Sequence, residues 1–300
     1  MKFILLFFST IYSLPCPEPL DTGVWSSYTS CQLLPSANLS ASNNPIDINF
    51  KGVTIDCQGN SGLTIYQTDV TLSNAKFVNC NRMNGGAIYY YTAGILTINN
   101  SSFDKCSSSF SGGAVYGYSN STLYLNNNIF TNCNSSIYGG AVYAHITCNL
   151  FLNNNFFYNC ASYSAGGGAI YGASNNTIQI VNSLFDTCYS TSGSGGAIYS
   201  SNYNDCYIIN STFNNCYSTT SSSGVIYVAI YSTLHFNRST FNYCYASRVG
   251  VTYVSLNSNI YVDNCTFNNC YATSSNTGAI EARGINMLIT NSIFNNCSSN

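Results

Sequence analysis

Clustered carboxylates beside a basic residue could act on an acidic polysaccharide, as general acid and base or by holding Ca²⁺. The chain has candidates for that chemistry in Asp56, Asp69, Asp104, Asp186, Asp205, Asp263 and Glu281. Lys51, Lys76, Arg82, Lys105, Arg238, Arg248 and Arg283 are the available basic partners. Both sets are scattered. His145 and His235 lie far apart and offer no zinc-ligand spacing. Thiols are far more frequent, with 15 Cys, and so is Tyr, with 26. Whether any of these residues meet depends on how the chain is wound.

The winding is written as a repeat. Phe-x-x-Cys occurs nine times at steps of 26 to 28 residues: Phe77–Cys80, Phe103–Cys106, Phe130–Cys133, Phe157–Cys160, Phe185–Cys188, Phe213–Cys216, Phe241–Cys244, Phe267–Cys270 and Phe294–Cys297. Self-similarity at a fixed period marks a solenoid. Eight residues before each Cys stands Leu72, Ile98, Leu125, Leu152, Ile180, Ile208, Phe236, Val262 or Ile289. Ten before it stands a second apolar column that runs from Val70 to Met287 and includes Cys206. Apolar positions two apart, with variable residues between them, describe a strand with one buried face.

Six residues before the Cys is Asn in eight of the nine repeats, with Arg238 the exception. Asn tolerates left-handed backbone, so this column reads as a turn. Gly-Gly-Ala-(Ile/Val)-Tyr starts at Gly85, Gly112, Gly139, Gly167 and Gly195. Worn versions follow at Ser223, Val249 and Thr277. Each unit thus reads as three short strands and three turns. The predicted fold is all-β: a right-handed, single-stranded parallel β-helix of about nine to ten coils over residues 46–300.

On that fold Asp104 and Asp186 share a column but sit three coils apart, about 14 Å by strand spacing. That is too far for a carboxylate pair that cleaves a glycosidic bond. No catalytic, cofactor or metal residues are assigned. Phe and Cys are read as core ladders. The Cys ladder is expected to be mostly reduced, because Cys206 stands in a Leu/Ile column and a buried thiol packs as a small apolar group. Cys148 and Cys265 fall at turns and are the better candidates for pairing; Cys16 and Cys31 could staple the N-terminal segment.

The candidate binding face is the column Tyr89, Tyr116, Tyr143, Tyr171, Tyr199, Tyr227 and Tyr253. Its eighth member is Glu281, and burying an unpaired carboxylate is costly, so the column is expected to point outward. Tyr124, Phe151, Tyr207 and Tyr261 form a second outward column. An exposed aromatic face can contact sugars or proteins.

Only 6% of the residues are charged and the net charge is −2, which leaves no basic footprint for nucleic acid. Residues 1–13 read as a secretory signal peptide: one Lys, then an apolar run too short to span a membrane. Residues 14–45, with Trp25, Pro35 and Pro45, read as an N-terminal cap. The C-terminus reads as cut within a coil, so membrane attachment would depend on a segment beyond Asn300. Asn-x-Ser/Thr sequons, among them Asn38, Asn100, Asn120, Asn175, Asn210 and Asn264, are potential glycan sites in a secretory route.

The GGAIY and GGAVY phrases, alternating with Phe-x-x-Cys from about residue 50 to 300, resemble the GGA(I/L/V) and FxxN repeats of the polymorphic outer membrane protein family. Cys replaces that family's Asn, and no autotransporter barrel is present, so the resemblance is to the protist-like surface members. It implies a surface-exposed or secreted protein with an adhesive role, with host-cell surface proteins or glycans as partners, and it carries over no catalytic residue. The expected function is a non-enzymatic adhesin-like β-helix. The alternative is a polysaccharide-active enzyme of the pectate-lyase type.

Overall fold

The computed structural model describes residues 30–32, 38–39, 46–66, 69–274 and 277–299. The leader read at 1–13, Cys16, Trp25, Pro35 and Pro45 lie outside them. The described chain winds as a right-handed parallel β-helix without a helix, every strand pairing in parallel with its counterpart one coil away.

Each coil contributes four strands, not three, to sheets of 11, 10, 9 and 10 strands. In one coil these are Asp205–Ile209, Thr212–Asn214, Tyr217–Ser218 and Ile226–Val228. The extra strand follows the Cys. It is commonly two residues long, too short to show an alternating pattern. The first sheet strands arise earlier than residue 46: Ser30–Gln32 pairs with Thr54–Asp56, and Asn38–Leu39 with Thr64–Ile65. The segment read as a cap therefore already extends two of the sheets.

The interior is built from identical residues in register. Phe77, Phe103, Phe130, Phe157, Phe185, Phe213, Phe241 and Phe267 are fully buried. Their rings lie nearly parallel, with centroids 4.6 to 5.4 Å apart. Each such burial is worth about 2–3 kcal/mol of transfer free energy, and an aromatic contact adds about 0.5–1.5 kcal/mol. Phe294 departs from the expected core ladder. It is 42% exposed, because no described coil stacks over its free side.

Turns are set by left-handed residues. The Asn column six before the Cys has positive φ throughout, from Asn74 at 56° to Asn291 at 48°, and Arg238 adopts 51° there. A second such column immediately precedes the Cys, including Asn79, Asn132, Asn159 and Asn215, with Lys105, Thr187 and Tyr243 as departures.

Inside one corner, buried side chains replace lost backbone partners. Ala75 N–H donates to Ser101 Oγ at 3.1 Å, Ser101 N–H to Asn128 Oδ1 at 2.9 Å, and Ser239 N–H to Cys265 Sγ at 3.4 Å. A parallel column runs through Cys148, whose N–H donates to Asn176 Oδ1 at 2.8 Å. Cys148 and Cys265 are therefore turn-capping residues and free buried thiols, not the paired cysteines the sequence suggested. Their in-register neighbours are Ser or Asn, so neither has a sulfur at the same position of an adjacent coil.

The two glycines of Gly-Gly-Ala have different causes. The first has positive φ, as at Gly112 (62°). The second is needed for space: a Cβ on Gly140 would lie 2.0 Å from the carbonyl oxygen of Gly168 in the next coil. This explains why the worn repeats keep Gly224, Gly250 and Gly278 but lose the first glycine.

Candidate functional site

The acids do not converge. Asp104 Oδ1 accepts from Thr131 Oγ1 at 2.8 Å and Asn132 Nδ2 at 3.0 Å. Asp186 accepts from Thr187 Oγ1 at 2.9 Å. Asp263 accepts from Thr290 Oγ1 at 2.7 Å and Asn291 Nδ2 at 3.0 Å, and these bonds hold its carboxyl below the usual range. These aspartates bond to turn residues of the neighbouring coil or of their own. Among the described residues no group of three His, Cys, Asp or Glu is placed to hold a metal ion.

The histidines join aromatic stacks. His145 lies on Tyr118 with centroids 5.4 Å apart, and Ser119 Oγ is 2.6 Å from its Nδ1. His235 is sandwiched between Tyr207 and Tyr261 at 4.8 Å each. Burial lowers the pKa of both. The column predicted from Tyr124, Phe151, Tyr207 and Tyr261 thus gains His235 and is interrupted by Gln179, which lies in register between Phe151 and Tyr207.

The seven tyrosines after Gly-Gly-Ala do lie outside the Phe-lined core, in register over seven coils. They are not the exposed strip that the sequence suggested. Tyr116, Tyr143 and Tyr253 are only 6%, 8% and 7% exposed, and the other four are half-buried. The cause is a re-entrant corner between the Tyr strands and the segment after each Cys. Tyr138 reaches across to Tyr171 with centroids 4.6 Å apart, and Phe110 packs on Tyr138. The stack ends under cations: Arg82 lies 4.7 Å over the Tyr89 ring and Arg248 lies 4.5 Å over Tyr253. Glu281 is half-exposed and ion-paired with Arg248 and Arg283; burial pushes its pKa up, but the arginines outweigh it and the net shift is downward. Burial also pushes the Tyr143 phenol up to about 12 and raises those of Tyr116, Tyr171 and Tyr199.

Stacking limits what such a column can offer. From Tyr116 to Tyr253 successive rings are nearly parallel, 4.7 to 5.5 Å apart, so inner ring faces are covered by neighbours. Edges and hydroxyls are what remain. A more open column went unread in the sequence: Tyr189, Tyr217, Tyr245 and Tyr271, each directly after a ladder Cys. Their centroids are 4.9 to 5.1 Å apart with planes within 8°. Tyr271 is 36% exposed and the others are half-exposed. The Cys-Tyr dipeptide in four consecutive coils was the available signal.

No family model matches the chain, and no curated protein matches it. Among solved structures, the surface protein and adhesin PfbA of Streptococcus pneumoniae is similar at 13% identity, with 90% of this chain and 85% of that chain covered and a TM-score of 0.40. Another structure of PfbA covers 88% of this chain and 79% of its own at 12% identity, with a TM-score of 0.35. The A-module of the mannuronan C-5 epimerase AlgE6 of Azotobacter vinelandii is similar at 13% identity, covering 90% and 80%, with a TM-score of 0.32. At such values these likenesses assign no activity to this chain.

Proposed function

We propose that this chain is a non-enzymatic, secreted or cell-surface β-helix that adheres through rows of phenol edges on its outer faces. The observation that carries this reading is the Tyr189–Tyr217–Tyr245–Tyr271 column, which repeats one polar aromatic edge per coil along a rigid face. Asp104, Asp186 and Asp263 bond to turn groups instead of gathering on a face, which speaks for recognition without cleavage. The partner class is a host-cell surface protein or an extended glycan. Single contacts of this kind are weak, and binding would come from several at once.

The test compares the parent chain with the triple variant Tyr217→Ser, Tyr245→Ser, Tyr271→Ser on immobilised glycans and on cells. With folding intact by circular dichroism, apparent affinity should fall roughly a hundredfold as the contacts are lost in concert. Unchanged binding by the folded variant, or shortening of the glycan chains by the parent, would overturn the reading.

A further inference from the structure

Sulfur runs through the core as an unbroken column. Its members are Cys57, Cys80, Cys106, Cys133, Cys160, Cys188, Cys216, Cys244, Cys270 and Cys297. Cys57 and Cys80 are joined by a disulfide with Cα atoms 4.7 Å apart, and the other eight are free thiols. Cys57 was outside the ladder read from the sequence, because Ile55 stands in register with Phe77 and the Phe-x-x-Cys phrase is missing there.

Register along the column is fixed by the backbone. From Cys106 onward the N–H after each Cys donates to the carbonyl of the Cys one coil earlier: Ser107 to Cys80 at 2.7 Å, Asn134 to Cys106 at 3.0 Å, Ala161 to Cys133 at 2.9 Å. After Cys80 the Asn81 N–H donates instead to Asn60 at 2.8 Å, and the disulfide itself marks the Cys57 contact. Neighbouring Cα atoms are therefore one strand spacing apart, about 4.8 Å, inside the range a disulfide spans. Side chains also lean along the axis. Cys133 Sγ is 3.5 Å from the carbonyl oxygen of Phe103, and Cys160 Sγ is 3.6 Å from that of Phe130, each one coil back.

We propose that this column is an oxidation site of fixed phase, in which the Cys57–Cys80 bond commits Cys106 to Cys133, Cys160 to Cys188, Cys216 to Cys244 and Cys270 to Cys297. Every member between Cys57 and Cys297 has one neighbour in the coil before and one in the coil after. Once Cys80 is taken, Cys106 has only Cys133 left. That bond leaves Cys160 only Cys188, and the rule passes along the column. Cys148, Cys206 and Cys265 cannot interfere, since they stand in other columns beside Ser, Asn, Ile or Leu.

The oxidant is a small-molecule disulfide. One ladder thiolate attacks it, forming a mixed disulfide and releasing one thiolate. The neighbouring thiolate then attacks the ladder sulfur of that mixed bond and expels the second. Each pair gives up two electrons and two protons, and the reagent leaves as two thiols. The ladder thiols from Cys106 to Cys270 are buried in the closed core, out of reach of a dissolved reagent, so pairing belongs to the period when coils assemble.

The experiment unfolds and reduces the full chain, refolds it in mixtures of reduced and oxidised glutathione, blocks remaining thiols and maps the crosslinks. The parent should give the four in-phase links and no link joining Cys80 to Cys106, Cys133 to Cys160, Cys188 to Cys216 or Cys244 to Cys270. Two variants lose the same native bond and differ in phase. Cys57→Ser frees Cys80 to compete for Cys106, and out-of-phase links should appear. Cys80→Ser leaves Cys106 without that competitor, and links should stay in phase. Mixed phase in the parent, no ladder link beyond Cys57–Cys80, or one pattern shared by the two variants would overturn the proposal.

Discussion

The tyrosines that follow Gly-Gly-Ala and the tyrosines that follow Cys are both stacked one coil apart on the outside of the same solenoid. The first set lies in a re-entrant corner, crossed by Tyr138 and closed at its ends by Arg82 and Arg248. The second set stands on strands of two residues and keeps more of its surface in solvent, with Tyr271 reaching 36% exposure. Identical residue type and identical period thus yield a second small core in one place and an accessible edge in the other. What separates them is the surrounding shape of the coil, and that shape decides which column is structure and which can meet a partner.

The sharpest test of this difference is stability. Tyr143→Ala should cost about 3 kcal/mol, as for other large-to-small changes at packed aromatic sites. Tyr217→Ala should cost about 1 kcal/mol or less, the range of a cross-strand pair. Denaturant unfolding of both variants measures the gap, and equal losses would erase the distinction drawn here.

Alkaline pH offers a second measure. The Tyr143 phenol titrates near 10.0 in an unfolded chain and at about 12 when packed. Below pH 10 both forms keep the proton and its contribution to stability is whole. Between pH 10 and 12 the unfolded form loses its proton first, so stability falls across that window. Phenolate absorbance followed with circular dichroism should show the packed tyrosines ionising together with unfolding. Smooth ionisation of all phenols in a folded chain would contradict the corner packing.

The smallest effect lies at the stack's end. Arg82→Gln removes the cation over Tyr89 and should cost about 0.5–1 kcal/mol. Thermal unfolding of the variant checks it. A null result would confine the packed column to its aromatic contacts.

The parts legible in the sequence were those held at a constant offset. Phe185 and Asn182 each repeat at a fixed distance from a Cys, and each occupies the place its spacing implied. Residues whose role depends on another part of the coil were not legible. Tyr138 and Phe110 belong to no repeated phrase, so the cover they place over Tyr171 and Tyr143 has no periodic trace. The strand after the Cys, such as Ala161–Ser162, is too short to alternate. The second left-handed column was hidden by Lys105, Thr187 and Tyr243, which take up a conformation that costs most non-glycine residues about 1–2 kcal/mol. Cys148 and Cys265 looked like disulfide partners because cysteine at a turn is unusual; their Sγ atoms instead take part in the hydrogen bonding of the Ser and Asn columns.

The second glycine of each Gly-Gly pair, pressed against the backbone of the next coil, makes every junction between coils interchangeable with every other. A stretch such as Ala161 to Cys188 could be excised, and Cys160 would then precede Tyr189 just as Cys188 does now. The chain can therefore gain or lose whole coils without redesigning a turn, so its reach becomes a quantity that recombination between repeats can count up or down.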